Sequence, residues 1–400
     1  MRNAQRLLIG SGVAATLSAL FSTAVPLHAA AAVVKLTDPT SVVMIVDRDS
    51  NDIAFMDIKT KKIIGRTFLG NNVNPHMLMM SPDGRYVVTG GTRANKAYVI
   101  DARTLELVKV IPVDIAPEHL AFSPDSRWYY QGNPQGDSIS VIDMLSLTKI
   151  KTISGLVEPL NTVFLPDGSK AYVGNYGAHW VGVIDVRRHE LLKKIQIGEV
   201  PGVAKLDPAK YLGNIKGINI AQITNDGRFL YATDTDLGVA AKIDPREDSV
   251  VKIIRVGKDP WRIYMSHDGN YAITPNNGDQ TISIIDLRTD KVAATLEAGE
   301  NMTGVNFAAD KAFVISSTTG FVYVYDMKTL RPAGRIKIGT NIQLETATTD
   351  TRDEKLYLAD STENAVVIID AKTQTFEKVM NVGLFPWGTH IMDSKDNYCH

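Results

Sequence analysis

Four histidines, two tryptophans, a glutamate and an arginine occupy sequence positions from which they could act together on one ligand. They are His76, Glu118, His119, His179, Trp261, Arg262, Trp387 and His390. Neutral imidazole is the commonest metal ligand in proteins and suits haem iron, copper and zinc. Tryptophan and arginine stack on flat ligands and are enriched in protein interfaces. The set therefore predicts either a cofactor site or a surface that holds a small ligand or a protein partner.

The elements that must position these residues belong to a repeat. A short apolar run ending in aspartate recurs along the chain, and its closing residues are Asp57, Asp101, Asp143, Asp185, Asp244, Asp286, Asp326 and Asp370. The usual spacing of about 42 residues is typical of a four-stranded propeller blade. One copy divides into strands at 75–81, 85–90, 96–101 and 106–113, rich in Val, Ile and Tyr and bounded by turn residues such as SPDG at 81–84. The repeated aspartates are expected to bond to backbone N–H groups of the next turn, not to act as catalytic carboxylates.

The two chain ends predict how the ring closes. Residues from 41 onward begin with a second-strand pattern, and residues 386–396 form a first strand without a partner. Pairing them completes one blade and removes an exposed strand edge. The expected fold is all-β: a single eight-bladed β-propeller over residues 32–400, closed by its N- and C-terminal strands.

Several phrases resemble known families. Tyr172-Val-Gly-Asn175 and Tyr86-Val-Val-Thr89, with SPDG and VIDxxT, resemble the YVTN-type repeats of secreted prokaryotic propellers, over about residues 42–398. More distantly, the chain is similar to the eight-bladed haem-d-binding propellers of cytochrome-type nitrite reductases and their haem-biosynthesis relatives. There, a histidine early in a first strand, ahead of a turn like SPDGRY, ligates the haem. His76 precedes SPDGRY (81–86) in a comparable place, so the resemblance implies a haem ligand at His76. The 400 residues contain no CxxCH motif, by which the reductases carry a covalent haem.

Propeller geometry predicts which residues share a face. Loops that enter first strands and loops that join second to third strands lie on one face, which would bring together the eight residues named at the outset. An insertion near 199–216, with Lys205, Lys210 and Tyr211, enters a first strand and is expected on the same face. His189 and His267 fall in turns of the opposite face and are expected to be solvated.

Three interpretations of this rim stay open. Its polar residues could line a water-filled channel, grip a partner, or form a metal or tetrapyrrole site. The leading hypothesis is a periplasmic binding protein that holds a ligand or protein partner on the rim bearing the insertion, with no reaction assigned. The alternative is a haem d-type or metal-binding redox or cofactor-maturation protein, with haem or copper bound through His76, His119 and His390. The terminal Cys399-His400 could form a soft-metal or redox site or be frayed.

Composition limits location and partners. Arg2 and Arg6, an apolar stretch at 7–25 and small residues at 29–32 predict a signal peptide at 1–31. Its cleavage would leave no membrane span and a periplasmic or secreted protein. The formal net charge of -1 offers no basic field for nucleic acid. With one cysteine, no internal disulfide can form, so stability must come from core burial.

Overall fold

The computed structural model describes residues 36–198, 214–352 and 354–396. In this part of the chain the strands form eight four-stranded antiparallel sheets, which are the blades of an all-β, eight-bladed propeller. The predicted fold class is therefore confirmed. Two short 3-10 helices, Pro39–Ser41 and Pro134–Gly136, accompany the strands. No helix of the described ranges is long and apolar enough to cross a membrane.

The strands follow one another blade by blade. Blade 1 contains β1 (Val42–Asp47), β2 (Asp52–Asp57), β3 (Ile63–Phe68) and the C-terminal strand β32 (Pro386–His390). Blade 2 contains β4 (Pro75–Met80), β5 (Tyr86–Gly91), β6 (Lys96–Asp101) and β7 (Leu107–Pro112). Blade 3 contains β8 (Leu120–Phe122), β9 (Trp128–Asn133), β10 (Ser138–Asp143) and β11 (Thr148–Ile153). Blade 4 contains β12 (Pro159–Phe164), β13 (Lys170–Asn175), β14 (Trp180–Asp185) and β15 (Glu190–Gln196).

The second half of the ring repeats this order. Blade 5 contains β16 (Ile218–Ile223), β17 (Leu230–Asp234), β18 (Val239–Asp244) and β19 (Ser249–Arg255). Blade 6 contains β20 (Tyr264–Met265), β21 (Tyr271–Asn276), β22 (Thr281–Asp286) and β23 (Lys291–Glu297). Blade 7 contains β24 (Met302–Ala308), β25 (Lys311–Ser316), β26 (Phe321–Asp326) and β27 (Arg331–Lys337). Blade 8 contains β28 (Leu344–Asp350), β29 (Lys355–Asp360), β30 (Ala365–Asp370) and β31 (Phe376–Met380).

The turns explain why the repeat keeps its aspartates. Asp101 Oδ1 accepts hydrogen bonds from the backbone N–H groups of Arg103 and Thr104, each at 2.9 Å. The equivalent aspartate of every other blade accepts a backbone N–H from the residue two or three positions on. In the SPDG turn, Gly84 has φ 68°, a conformation that glycine adopts without steric cost. The expectation that the repeated aspartates are turn formers is confirmed.

The apolar core lies between neighbouring blades. One cluster joins Met77 and Val99 of blade 2 to Leu120 and Tyr129 of blade 3. Blade-to-blade packing therefore replaces a central core and leaves the ring axis free for polar side chains.

The ring closes where the sequence predicts. The last strand, β32, pairs antiparallel with β1 at four positions: Met44↔His390, Ile45↔Thr389, Val46↔Gly388 and Asp47↔Pro386. All six residues of β1 are buried. We call the β1–β32 pairing the seam, because it is the place where the two ends of the chain meet.

A short tail continues from β32 on the face opposite the first-strand starts. Its residue Asp396 is fully buried and accepts hydrogen bonds from Phe307 N at 2.9 Å, Thr349 Oγ1 at 2.5 Å and His267 Nε2 at 2.6 Å. These donors belong to blades 7, 8 and 6, so the tail ties blade 1 to three others. The expectation that His267 is simply a solvated turn residue is wrong, because its side chain is only 23% exposed and is hydrogen-bonded to the tail.

The expectation for His189 is wrong as well. This turn residue is buried, and its Nδ1 lies 2.8 Å from the Tyr130 hydroxyl of the preceding blade. A tyrosine at the same strand position contacts the equivalent turn residue at the next two joints, as Tyr172–Asp248 and Tyr231–Asp290. His189 is therefore part of a repeated contact between blades.

Candidate functional site

A cavity of about 440 Å³ lies where the innermost strands begin. Six of the eight residues singled out from the sequence line it: His76, Glu118, His119, Trp261, Arg262 and Trp387. They come from blades 1, 2, 3 and 6, each at or just before a first strand. The rule that first-strand starts share one face therefore brings these distant residues together around the ring axis.

His76, the second residue of β4, forms part of the cavity wall. Its ring centroid lies 5.1 Å from that of Trp387, at 33°, and 6.3 Å from that of His119, at 84°. Its Nδ1 is buried and has no hydrogen-bond partner within the described ranges. Burial, and then the charges of Arg48 and Arg262, lower the pKa of His76 to about 3. The imidazole is therefore neutral at physiological pH, the form that coordinates metal ions.

Each of the two tryptophans that line the cavity has an arginine guanidinium packed on its ring. The Arg48 guanidinium carbon lies 4.2 Å from the centroid of the Trp387 ring, and that of Arg262 lies 5.3 Å from the centroid of Trp261. Arg262 is buried, and its Nε donates to Asn219 Oδ1 at 3.0 Å. Arginine on an aromatic face presents its N–H fork edgewise, the geometry that suits carboxylates. Arg262 therefore places a cationic group in the cavity wall, and Arg48 places one against the wall residue Trp387.

Sequence reasoning missed Arg48. It follows β1 directly, in the loop between the second and third strands of blade 1, and its Nη2 donates to Asn74 Oδ1 at 3.1 Å. The rule that assigned second-to-third loops to the cavity face applies to it equally. The signal was therefore present in the sequence.

Three carboxyl groups line the cavity, those of Glu118, Glu158 and Glu345. Burial raises the pKa of Glu118, against the opposing charges of Arg48 and Arg262. Burial likewise raises the pKa of Glu345, whose Oε1 accepts hydrogen bonds from Gln343 Nε2 at 2.7 Å and Ser361 Oγ at 2.9 Å. Glu345 was not singled out from the sequence, although it too stands at the start of a first strand.

The other two histidines lie outside the cavity lining. His179 is in the β13–β14 loop, and its Nδ1 lies 2.8 Å from Asp234 Oδ2 of blade 5. Burial lowers the pKa of His179, but the hydrogen bond and charge of Asp234 outweigh it and leave the pKa above its ordinary value. His390 ends β32 and is buried, with Met80 N at 3.5 Å from its Nε2.

A shared metal site is not assembled by the predicted histidines. Among the residues whose placement is described, no group of three or more His, Cys, Asp or Glu side chains could hold a metal ion. The grouping of His76, His119 and His390 fails because β32 carries His390 away from the cavity end of the strand. Lys205, Lys210 and Tyr211 of the insertion, and Cys399-His400, lie outside the described residues.

Comparisons with known proteins find one matching family model and several similar solved structures. A family model described as the cytochrome D1 haem domain matches residues 1–119. The solved structure of the dihydro-haem d1 dehydrogenase NirN in complex with DHE is similar, with a TM-score of 0.73, 18% identity, and coverage of 89% of this chain and 76% of that one.

Two further solved structures are similar. Hydrazine synthase of Kuenenia stuttgartiensis has a TM-score of 0.54 and 20% identity, over 78% of this chain and 96% of that one. A functionally unknown protein from Desulfotomaculum acetoxidans has a TM-score of 0.56 and 12% identity, over 88% and 98%. No curated protein matches the chain. The structural likenesses establish the fold, and the family model together with NirN bears out the resemblance to haem d1 propellers.

Proposed function

We propose that the cavity binds a tetrapyrrole of the haem d type, whose iron His76 would hold, in a protein delivered to the periplasm by its signal peptide. His76 is the observation that carries this proposal. Its neutral ring lies in the wall of a cavity on the ring axis, and its Nδ1 has no partner in the described chain. A neutral histidine is the commonest protein ligand of haem iron.

The rest of the wall fits such a ligand. Trp261 and Trp387 offer flat surfaces for a ring, and both line the cavity. Arg262 and Arg48 would hold acidic substituents at its edge by charge-assisted hydrogen bonds. Glu118 and Glu345, whose pKa values are raised by burial, could donate to acceptor groups on the ring when protonated.

The protein's part is to bind and orient. A bound tetrapyrrole iron would supply the redox chemistry, as cofactors do in general. His76 would fix the iron, and the tryptophans would fix the ring plane and exclude water. NirN, whose structure is a complex with DHE, is a dihydro-haem d1 dehydrogenase. We assign no reaction to the present chain and propose ligand holding, either for redox use or for cofactor maturation.

The test is an absorption spectrum of protein purified from the periplasm. We expect a Soret band and a long-wavelength band in the wild-type protein, and their loss in His76→Ala with the far-ultraviolet circular dichroism unchanged. His179→Ala is the matched control, because His179 lies outside the cavity lining and should leave the bands intact. Retention of the bands in His76→Ala would remove His76 as the ligand. A wild-type spectrum without such bands, including after incubation with haem, would overturn the tetrapyrrole proposal.

A further inference from the structure

We infer that the ring-closing strand β32 is an acid-sensitive latch, in which protonation of His390 opens the seam and withdraws Trp387 from the cavity wall. The strand is five residues long and carries both side chains, Trp387 toward its start and His390 at its end. The seam holds it to β1 at four paired positions.

The hydrogen bonding of His390 requires the neutral ring. Its side chain is almost fully buried, and its Nε2 faces the backbone N–H of Met80 in β4 at 3.5 Å. An imidazole nitrogen accepts from an N–H only when it carries no proton, so this contact fixes the neutral tautomer with the proton on Nδ1. Protonation would place the new N–H of His390 Nε2 opposite the backbone N–H of Met80, so that two donors would face each other. It would also leave a charge buried in an apolar surrounding. Both effects favour separation of β32 from β4 and β1.

No neighbouring charge offsets this penalty. The titratable residues on the strands packed against β32 are Asp47 on β1, His76 on β4, Glu345 and Asp350 on β28, and Lys355, Tyr357 and Asp360 on β29. Burial alone lowers the pKa of His390, to about 3, with no contribution from any of these groups. His179 offers the contrast, because Asp234 stabilises its charged form. Because no neighbouring group stabilises the charged form of this buried histidine, protonation of His390 should weaken the seam.

The seam couples to the cavity through Trp387. This side chain lines the cavity and lies against His76, and the Arg48 guanidinium packs on the face of its ring. The backbone of Trp387 belongs to β32, the strand whose end is held in place by the buried side chain of His390. The latch is a property of the fold, and only its consequence for a bound ligand rests on the proposed function. Acid would therefore loosen one wall of the cavity before the other blades respond.

Hydrogen–deuterium exchange of the protein without added ligand tests the latch. The opened seam would expose an imidazole with an ordinary pKa of about 6.5, so lowering the pH from 7 to 4.5 should raise the opening constant up to about 100-fold. After correction for intrinsic exchange rates, amides of 42–47 and 387–390 should lose protection by this factor. Amides of blade 5 (β16–β19) should keep theirs and serve as the internal reference.

Variants distinguish protonation of His390 from other effects of acid on the seam. His390→Gln and His390→Leu carry no titrating ring, and whichever of them folds should show the same seam protection at both pH values. His76→Gln is the matched control, since it removes the other buried neutral histidine of this region and should leave the acid response in place. Unchanged wild-type protection of the seam at pH 4.5 would overturn the latch, and so would a full acid response in the His390 variants. Neither result depends on whether a tetrapyrrole binds.

Discussion

Replacement of Asp396 by alanine should destabilise the whole ring, although this residue lies within a few positions of the chain end. The carboxylate is fully buried and accepts three hydrogen bonds, from the Phe307 amide, the Thr349 hydroxyl and the His267 ring. Each buried donor left without a partner costs about 1–3 kcal/mol, so Asp396→Ala should lower the free energy of unfolding by about 3–5 kcal/mol. That is a large part of the about 5–15 kcal/mol that folded proteins usually have.

Urea denaturation at pH 7, followed by circular dichroism, measures this loss. Asp396→Asn keeps an oxygen acceptor and the side-chain volume and should lose about 1–2 kcal/mol. Asp393→Ala is the control from the same segment, because Asp393 is exposed and an exposed position is expected to change stability by about 0.5 kcal/mol or less. If Asp396→Ala unfolds at the same urea concentration as Asp393→Ala, the tail does not hold the blades together.

Two further predictions concern pH. Because Asp234 raises the pKa of His179 above its ordinary value, the pair stabilises the fold fully below about pH 6.5 and loses this effect as the pH rises through the folded-state pKa. Urea unfolding should therefore show a larger cost of His179→Gln at pH 6 than at pH 9, and equal costs would contradict the pairing. Burial lowers the pKa of His189, so wild-type protein should lose stability as the pH falls below about 6.5. His189→Asn suits the positive φ of 53° and keeps an acceptor for the Tyr130 hydroxyl. In thermal unfolding at pH 5 this variant should therefore lose less stability than the wild-type protein. The same loss in both proteins would argue against protonation of His189 as the cause.

The sequence predicted the fold closely because the repeat is read from local signals. Turn residues such as Asp101 act within two or three positions of themselves, so their role is visible without any knowledge of the ring. The closure of β1 by β32 was also predictable, since each chain end supplies the part of a blade that the other lacks. Bounds of the strands differ from the predicted ones by one or two residues, as at β4, which ends at Met80.

The candidate site was predictable only in part. Position within a first strand places His76 and Trp387 at the cavity, but it does not say how far along the strand a side chain lies. His390 comes three residues after Trp387 and is therefore buried below the cavity. Contacts between blades were invisible, because the partner of His189 lies in the preceding blade and that of His267 in the C-terminal tail. Those two histidines resemble exposed turn residues until the neighbouring blade or the tail covers them.

The seam also has a consequence for how the chain reaches its native state. Strand β1 emerges early and is apolar and fully buried in the finished ring, yet the strand that covers its free edge is the last of the chain. An unpaired apolar edge is a template for wrong pairing, and contacts of very large sequence separation form slowly. Blade 1 therefore cannot mature during synthesis, whereas blades 2 to 8 each have all four of their strands in one continuous stretch. A nascent chain of this protein therefore exposes this apolar edge for the whole time between the synthesis of β1 and that of β32.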